Sequence, residues 1–255
     1  MSIEYTQETE RPHVAHLRLD FNELNLLTVA EADELRDSVL AIPEEVAVLT
    51  IGAEQPAAGE AEIRGLTGGL NLEWAHSLDP REGQELLETL YETIEAVRDL
   101  DAVVICSCGS YTLGAGFELA MACEFRVATA DASLGLPEVN VGLPTVIHGG
   151  LLTRLVGAQT ATELIYTGKT ISGERAAALE LVNRAVDPDD YDDALEQLVS
   201  AVADKPPQVL KAQKRVMRRF RSVGLEQGME ASIGDMGRVF GTDAQRDAMG
   251  AFLED

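Results

Sequence analysis

Two carboxylates stand in apolar company in this sequence. Glu118 lies within Phe117-Glu118-Leu119-Ala120-Met121-Ala122, and Glu138 within Leu134-Gly135-Leu136-Pro137-Glu138-Val139. Such neighbours suggest enclosure, and enclosure raises a carboxyl pKa because the charged form loses its water. A carboxyl still protonated near neutral pH can serve as a general acid, and a pair can divide acid and base work. The structural alternatives are a carboxylate at a helix N-terminus for Glu118 and a surface turn for Glu138. Either residue alone reads as structural.

Two glycine-rich turns accompany them. Gly68-Gly69-Leu70 and Gly114-Ala115-Gly116 each precede a helical stretch. Glycine lets the backbone approach a ligand closely, and a helix start presents unpaired N–H groups. Two such turns facing one oxygen would form an oxyanion hole. Two packing turns are the competing reading.

The elements that must position these groups alternate. Residues 13–19 and 46–51 read as strands, as do 102–106 and 125–128. Thr28 with Glu31 three residues on forms a capping-box signal for a helix reaching about Leu40. Apolar spacing predicts a helix over 82–98 and a short one from Phe117 to Cys123. Residues 53–65, rich in Ala, Gly, Glu and Pro, read as an exposed loop. From 190 onward the pattern is four helices, 190–203, 208–221, 224–240 and 242–253, and no strand. The fold class is α/β.

Other motifs fail on single residues. Gly114-Ala115-Gly116 places Leu119 where a dinucleotide fingerprint needs its third glycine. Gly168-Lys169-Thr170 places Glu163 where a phosphate loop needs its first. There is no Gly-x-Ser-x-Gly. Cys106, Cys108 and Cys123 sit among small or apolar residues and read as inert buried thiols. No zinc spacing appears, so no metal is expected.

Charge narrows the function further. The 255 residues carry 20 Lys and Arg against 44 Asp and Glu, a net −24. That surplus repels nucleic-acid phosphates, so nucleic-acid binding is not expected. It suits a salt-rich cytoplasm, where screening relaxes self-repulsion; an ordinary acidic protein is the plainer reading. The opening residues have no basic stretch followed by an apolar run, so no signal peptide is expected, and no apolar run is long enough for a membrane span. Lys205, Lys211, Lys214, Arg215, Arg218, Arg219 and Arg221 fall within 17 residues free of acids. They read either as a phosphate-capturing patch or as a helix whose cations pair with acidic neighbours.

Several blocks resemble the crotonase superfamily, the enoyl-CoA hydratases and isomerases. They are Leu66-Thr67-Gly68-Gly69-Leu70-Asn71-Leu72, then Leu113 through Glu124, then Ala132 through Pro144. Gly149 through Gly157, Thr167-Gly168-Lys169 and Ala251-Phe252 follow in order. The resemblance implies a spiral of ββα units with a C-terminal helical oligomerisation region. It implies a core over 1–195 holding an acyl-CoA site, and a helical region over 196–255 for oligomerisation and CoA contacts. The amides of Leu70 and Ala115 would hold the thioester oxygen. Glu138 would protonate the α-carbon while Glu118 activates the water that attacks the β-carbon. Gly68, Gly69, Asn71, Leu72, Gly114, Gly116 and Pro137 would line the substrate. No cofactor is implied, since coenzyme A belongs to the substrate. A homotrimer or homohexamer is implied.

Two departures stand out. Asn71 occupies a position usually held by Asp, and Thr145-Val146-Ile147-His148 replaces a commoner glycine-rich run. A lone loop histidine such as His148 receives no role. The alternatives to a hydratase are a 3,2-enoyl-CoA isomerase working through Glu138 and a non-catalytic acyl-CoA binder.

Overall fold

The computed structural model describes residues 2–55 and 63–254. Six strands form one sheet in the order β1 to β6: β1 (Ile3–Gln7), β2 (Val14–Leu19), β3 (Val48–Ala53), β4 (Val103–Leu113), β5 (Phe125–Gly135) and β6 (Arg184–Val186). β1 and β2 are antiparallel; every later pair is parallel. Each parallel step needs a crossover, and helices supply most of them. They are α1 (Val29–Leu40), then α2 (Leu72–Ala75) with α3 (Pro80–Asp99), then α4 (Ala115–Ala122), then α5 (Leu151–Thr167) with α6 (Gly173–Ala178). Isolated bridges Leu27–Leu70, Thr67–Thr112 and Leu134–Ile171 add a second set of extended pairings beside the sheet. The fold is a one-strand-at-a-time α/β spiral.

β3 and the first part of β4 are buried on both faces, and strand alternation sorts their side chains. Leu49, Ile51, Val104 and Cys106 point into the larger core with α1, α3 and α4. Val48, Val103 and Ile105 point the other way, onto α7 (Tyr191–Ala203) through Tyr191, Leu198 and Val199. The expected division at residue 195 therefore falls inside a helix packed on the sheet, and the helices that extend beyond this core begin with α8 (Pro207–Ser222). α9 (Leu225–Val239) and α10 (Asp243–Glu254) follow.

The capping box is formed: Thr28 accepts from Ala30 N–H, and Glu31 accepts from Thr28 N–H at 2.9 Å. β3 runs into Ala53, so the expected loop over 53–65 begins later, and its residues 56–62 lie outside the described residues. β5 continues seven residues past the expected end at Ala128, because its pairing with β4 shifts register around Gly109 and then resumes at Tyr111–Ser133. β1 and β6 carried no strand signal.

The basic run forms α8 and turns inward. Lys214 is buried, donating to Glu124 and to the Ala102 carbonyl, both at 2.8 Å. Arg215 meets Asp101, Arg218 meets Asp99 and Arg219 meets Asp235. Of the two readings, the paired one is what the described residues display: these cations dock the helix on its own chain. No helix among the described residues is long and apolar enough to cross a membrane.

Candidate active site

β4 delivers the second glycine turn, and a pairing with residue 67 sets the first beside it. Leu113 N–H donates to Thr67 O at 3.0 Å, and Thr67 Oγ1 accepts from Gly69 N–H at 2.9 Å. Gly69 and Gly114 hold φ of +94° and +54°, where a side chain is strained. At Gly69 space is tight as well. A Cβ on Gly69 would lie 3.0 Å from Leu113 O and 3.7 Å from Gly114 Cα. The two turns face each other at backbone contact.

Each turn exposes one amide. Leu27 bonds on either side of Leu70, to Gly69 O at 2.9 Å and from Asn71 N–H at 2.8 Å, and leaves Leu70 N–H outside the bridge. Ala115 opens α4, where helical N–H groups lack an internal partner. Neither amide donates to an acceptor among the described residues. Both residues line one cavity of about 240 Å³ together with Gly68, Gly69, Gly114 and Pro137. Leu72, Leu87, Leu90, Leu143 and Val146 supply apolar wall.

Glu118 and Glu138 line this same cavity. Glu118, in the first turn of α4, is 3% exposed. Burial pushes its carboxyl up to about 8; the Gly149 N–H, donating to Oε1 at 2.6 Å, opposes the rise, and the nearby Glu138 adds to it. Glu138 is half-buried rather than enclosed. It begins a short 3-10 turn, Glu138–Val141, and accepts from Thr145 Oγ1 at 2.9 Å. A Cβ on Gly114 would come within 3.3 Å of Glu138 Oε1, so this carboxylate sits over the second turn.

Two of the residues expected to contact substrate do not line this cavity. Asn71 is the N-cap of α2, accepting from Trp74 N–H at 3.1 Å, and does not line the cavity. Gly116 is packed behind it: a Cβ there would meet Thr67 Cγ2 at 2.2 Å. Its role is to seat α4 against residue 67.

Three contributors carry no role in the sequence reading. Thr145 and Gly149 hold the carboxylates from one loop, Thr145 seven residues beyond Glu138 and Gly149 31 beyond Glu118. Arg126 is buried beneath α4 and donates to Ala120 O at 3.0 Å, Cys123 O at 2.7 Å and Leu181 O at 2.5 Å. A cation on the last carbonyls stabilises a short helix whose other end faces the cavity. The three cysteines are buried and free. No group of three or more His, Cys, Asp or Glu among the described residues could hold a metal ion.

A stepwise parallel spiral with two facing backbone-donor turns and a carboxylate pair over an apolar cavity defines a crotonase-like protein. Residues 14–255 match the enoyl-CoA hydratase/isomerase family, and the chain belongs to it. It is similar to a short-chain-enoyl-CoA hydratase of Clostridium acetobutylicum, 28% identical over 235 residues that cover 91% of this chain and 87% of that protein. A short-chain-enoyl-CoA hydratase of Clostridioides difficile is 36% identical over 152 residues, 59% of this chain and 97% of that one. The fold superposes on a crystal structure of an enoyl-CoA hydratase from Mycobacterium smegmatis with a TM-score of 0.91 at 26% identity, covering 100% of this chain and 96% of that one.

Proposed function

We infer that this protein is an enoyl-CoA hydratase, adding water across the 2,3 double bond of an enoyl-CoA thioester. The observation that carries the reading is that Glu118 and Glu138 line one apolar cavity with the Leu70 and Ala115 amides. Water addition needs one proton delivered to the α-carbon and one removed from water. Polarising the thioester makes the β-carbon electrophilic and loads negative charge onto the thioester oxygen. The two amides receive that oxygen; they are already oriented, and losing one such donor typically costs about 3–4 kcal/mol in barrier. Glu118 takes the proton of the attacking water, and Glu138 gives its proton to the α-carbon.

This division requires the pair to hold one proton between them. Burial favours that proton on Glu118. The reactive form has it on Glu138, with Glu118 ionised beside the water. Coenzyme A enters as part of the substrate, and the chemistry calls for no further cofactor. The names of the relatives favour a short acyl chain.

The protein acts as a homotrimer or homohexamer. Apolar side chains on α9 and α10 support this, with Ile233 72% and Phe252 82% exposed on the single chain. The acidic surplus supports work in a salt-rich cytoplasm.

The test is loss of the conjugated enoyl-thioester absorbance of crotonyl-CoA in molar KCl. The natural protein turns it over, and Glu118→Gln and Glu138→Gln each lower turnover by about 10²- to 10⁴-fold. Failure of the natural protein on crotonyl-CoA would refute the hydratase reading. Conjugation then appearing from a 3-enoyl-CoA, surviving Glu118→Gln but not Glu138→Gln, would identify an isomerase.

A further inference from the structure

One loop reaches both carboxylates. Thr145 Oγ1 donates to Glu138 Oε2 at 2.9 Å, and Gly149 N–H donates to Glu118 Oε1 at 2.6 Å. The chain between them sets both donors at once. At its centre Ile147 holds φ +38°, a left-handed conformation that a β-branched residue adopts only when its surroundings over-determine it. Ile147 opens the short 3-10 turn Ile147–Gly150, which contains Gly149.

The next residue supplies the over-determination. His148 is 4% exposed, and its Nε2 lies 2.7 Å from Glu95 Oε1. Its ring stacks on Tyr91, with centroids 5.2 Å apart and planes 25° from parallel. Tyr91 and Glu95 are one turn apart on α3, so both contacts come from one rigid helix. Arg98, a further turn fraction along, pairs with Glu95 and fixes its carboxylate. His148 does not line the cavity of Glu118 and Glu138. It lines a separate polar cavity of about 530 Å³ behind it.

We propose that His148, anchored by Glu95 and Tyr91, is a positioning residue: it pins the 145–149 loop so that Thr145 and Gly149 hold Glu138 and Glu118 in register. The assignment rests on the two-carboxylate reading above. The ring works uncharged. Burial lowers its pKa, Glu95 opposes, and Arg98 adds to the lowering. The polar cavity adds Arg154, Lys214, Arg218 and Arg221 against Asp99 and Glu124. A neutral ring donates through Nε2–H to Glu95. Its Nδ1 is buried with no partner among the described residues, so that single hydrogen bond and the stack are what orient it.

The experiment compares His148→Ala, His148→Gln, Glu95→Gln and the His148→Ala/Glu95→Gln double variant with the natural protein on crotonyl-CoA. His148→Ala lowers kcat by about 10- to 100-fold, since small misplacements of catalytic groups cost that much, with KM nearly unchanged. His148→Gln, which keeps an N–H for Glu95, recovers most of the rate. Glu95→Gln loses rate in the same way, and the double variant is no slower than His148→Ala alone.

Titration of Glu118 by carbon NMR reads the same claim without turnover. The Gly149 N–H lowers the Glu118 pKa, so loosening the loop raises it further in His148→Ala. An unshifted Glu118 titration in folded His148→Ala, or in Glu95→Gln should His148→Ala not fold, overturns the proposal. A rate loss that is additive in the double variant also overturns it, as the mark of general loosening. A natural protein inactive on crotonyl-CoA overturns the hydratase reading instead, and the NMR titration still decides the loop.

Discussion

Ile147 stands between two cavities of opposite character. On one side leucine, valine and proline surround two carboxylates, and no cation lines the space among the described residues. On the other, Arg98, Lys214 and Arg218 meet Glu95, Glu124 and Asp99 in ion pairs. Two glutamates show the consequence. Burial holds Glu118 protonated up to about 8. Burial also works to raise Glu95, but hydrogen bonds from His148 and Arg98, with the Arg98 charge, hold it below the usual carboxylate range. A charge with a built-in partner is spent on structure. A buried carboxyl with no cation beside it keeps a proton that chemistry can use.

The largest expected effect is on turnover. Glu118→Gln or Glu138→Gln lowers kcat by about 10²- to 10⁴-fold, the range of general acid–base contributions, measured as crotonyl-CoA hydration. Next is stability on the polar side. Lys214→Met leaves Glu124 without its buried partner and destabilises the fold by about 3–5 kcal/mol in denaturant titration, while kcat per folded molecule holds. A large kcat loss there would break the comparison.

Glu118 also makes a smaller, pH-dependent prediction. Its folded pKa is raised above the unfolded value near 4.5, so the native protein binds the extra proton between 4.5 and about 8. Stability therefore falls as pH rises through that window. Gln cannot ionise, so the melting temperature of Glu118→Gln gains on the natural protein from pH 5 to pH 8 and levels off above. The smallest effect is surface screening: the melting temperature rises with KCl, as a net −24 requires if self-repulsion matters.

What the sequence makes legible is local. The Thr28–Glu31 box, the four C-terminal helices and the apolar settings of the two glutamates are contained within a few residues each. What stays hidden depends on distant pairing. β1 is an edge strand with Glu4 and Tyr5 exposed, so its apolar alternation is broken. β6 has three residues and exists through its pairing with β5. Apolar neighbours correctly indicated burial for Glu118. For Glu138 they misled, because it begins a turn whose next residues, Val139 and Val141, are exposed. His148 meets Glu95 across 53 positions, and Gly149 meets Glu118 across 31. No local pattern encodes either contact.

The central claim is that Glu118 and Glu138 share one proton over the thioester site. The pH dependence of kcat/KM for crotonyl-CoA hydration tests it most directly. The account predicts that kcat/KM falls as pH rises past about 8, where Glu118 gives up its proton. Activity that stays level from pH 7 to pH 10 would contradict it.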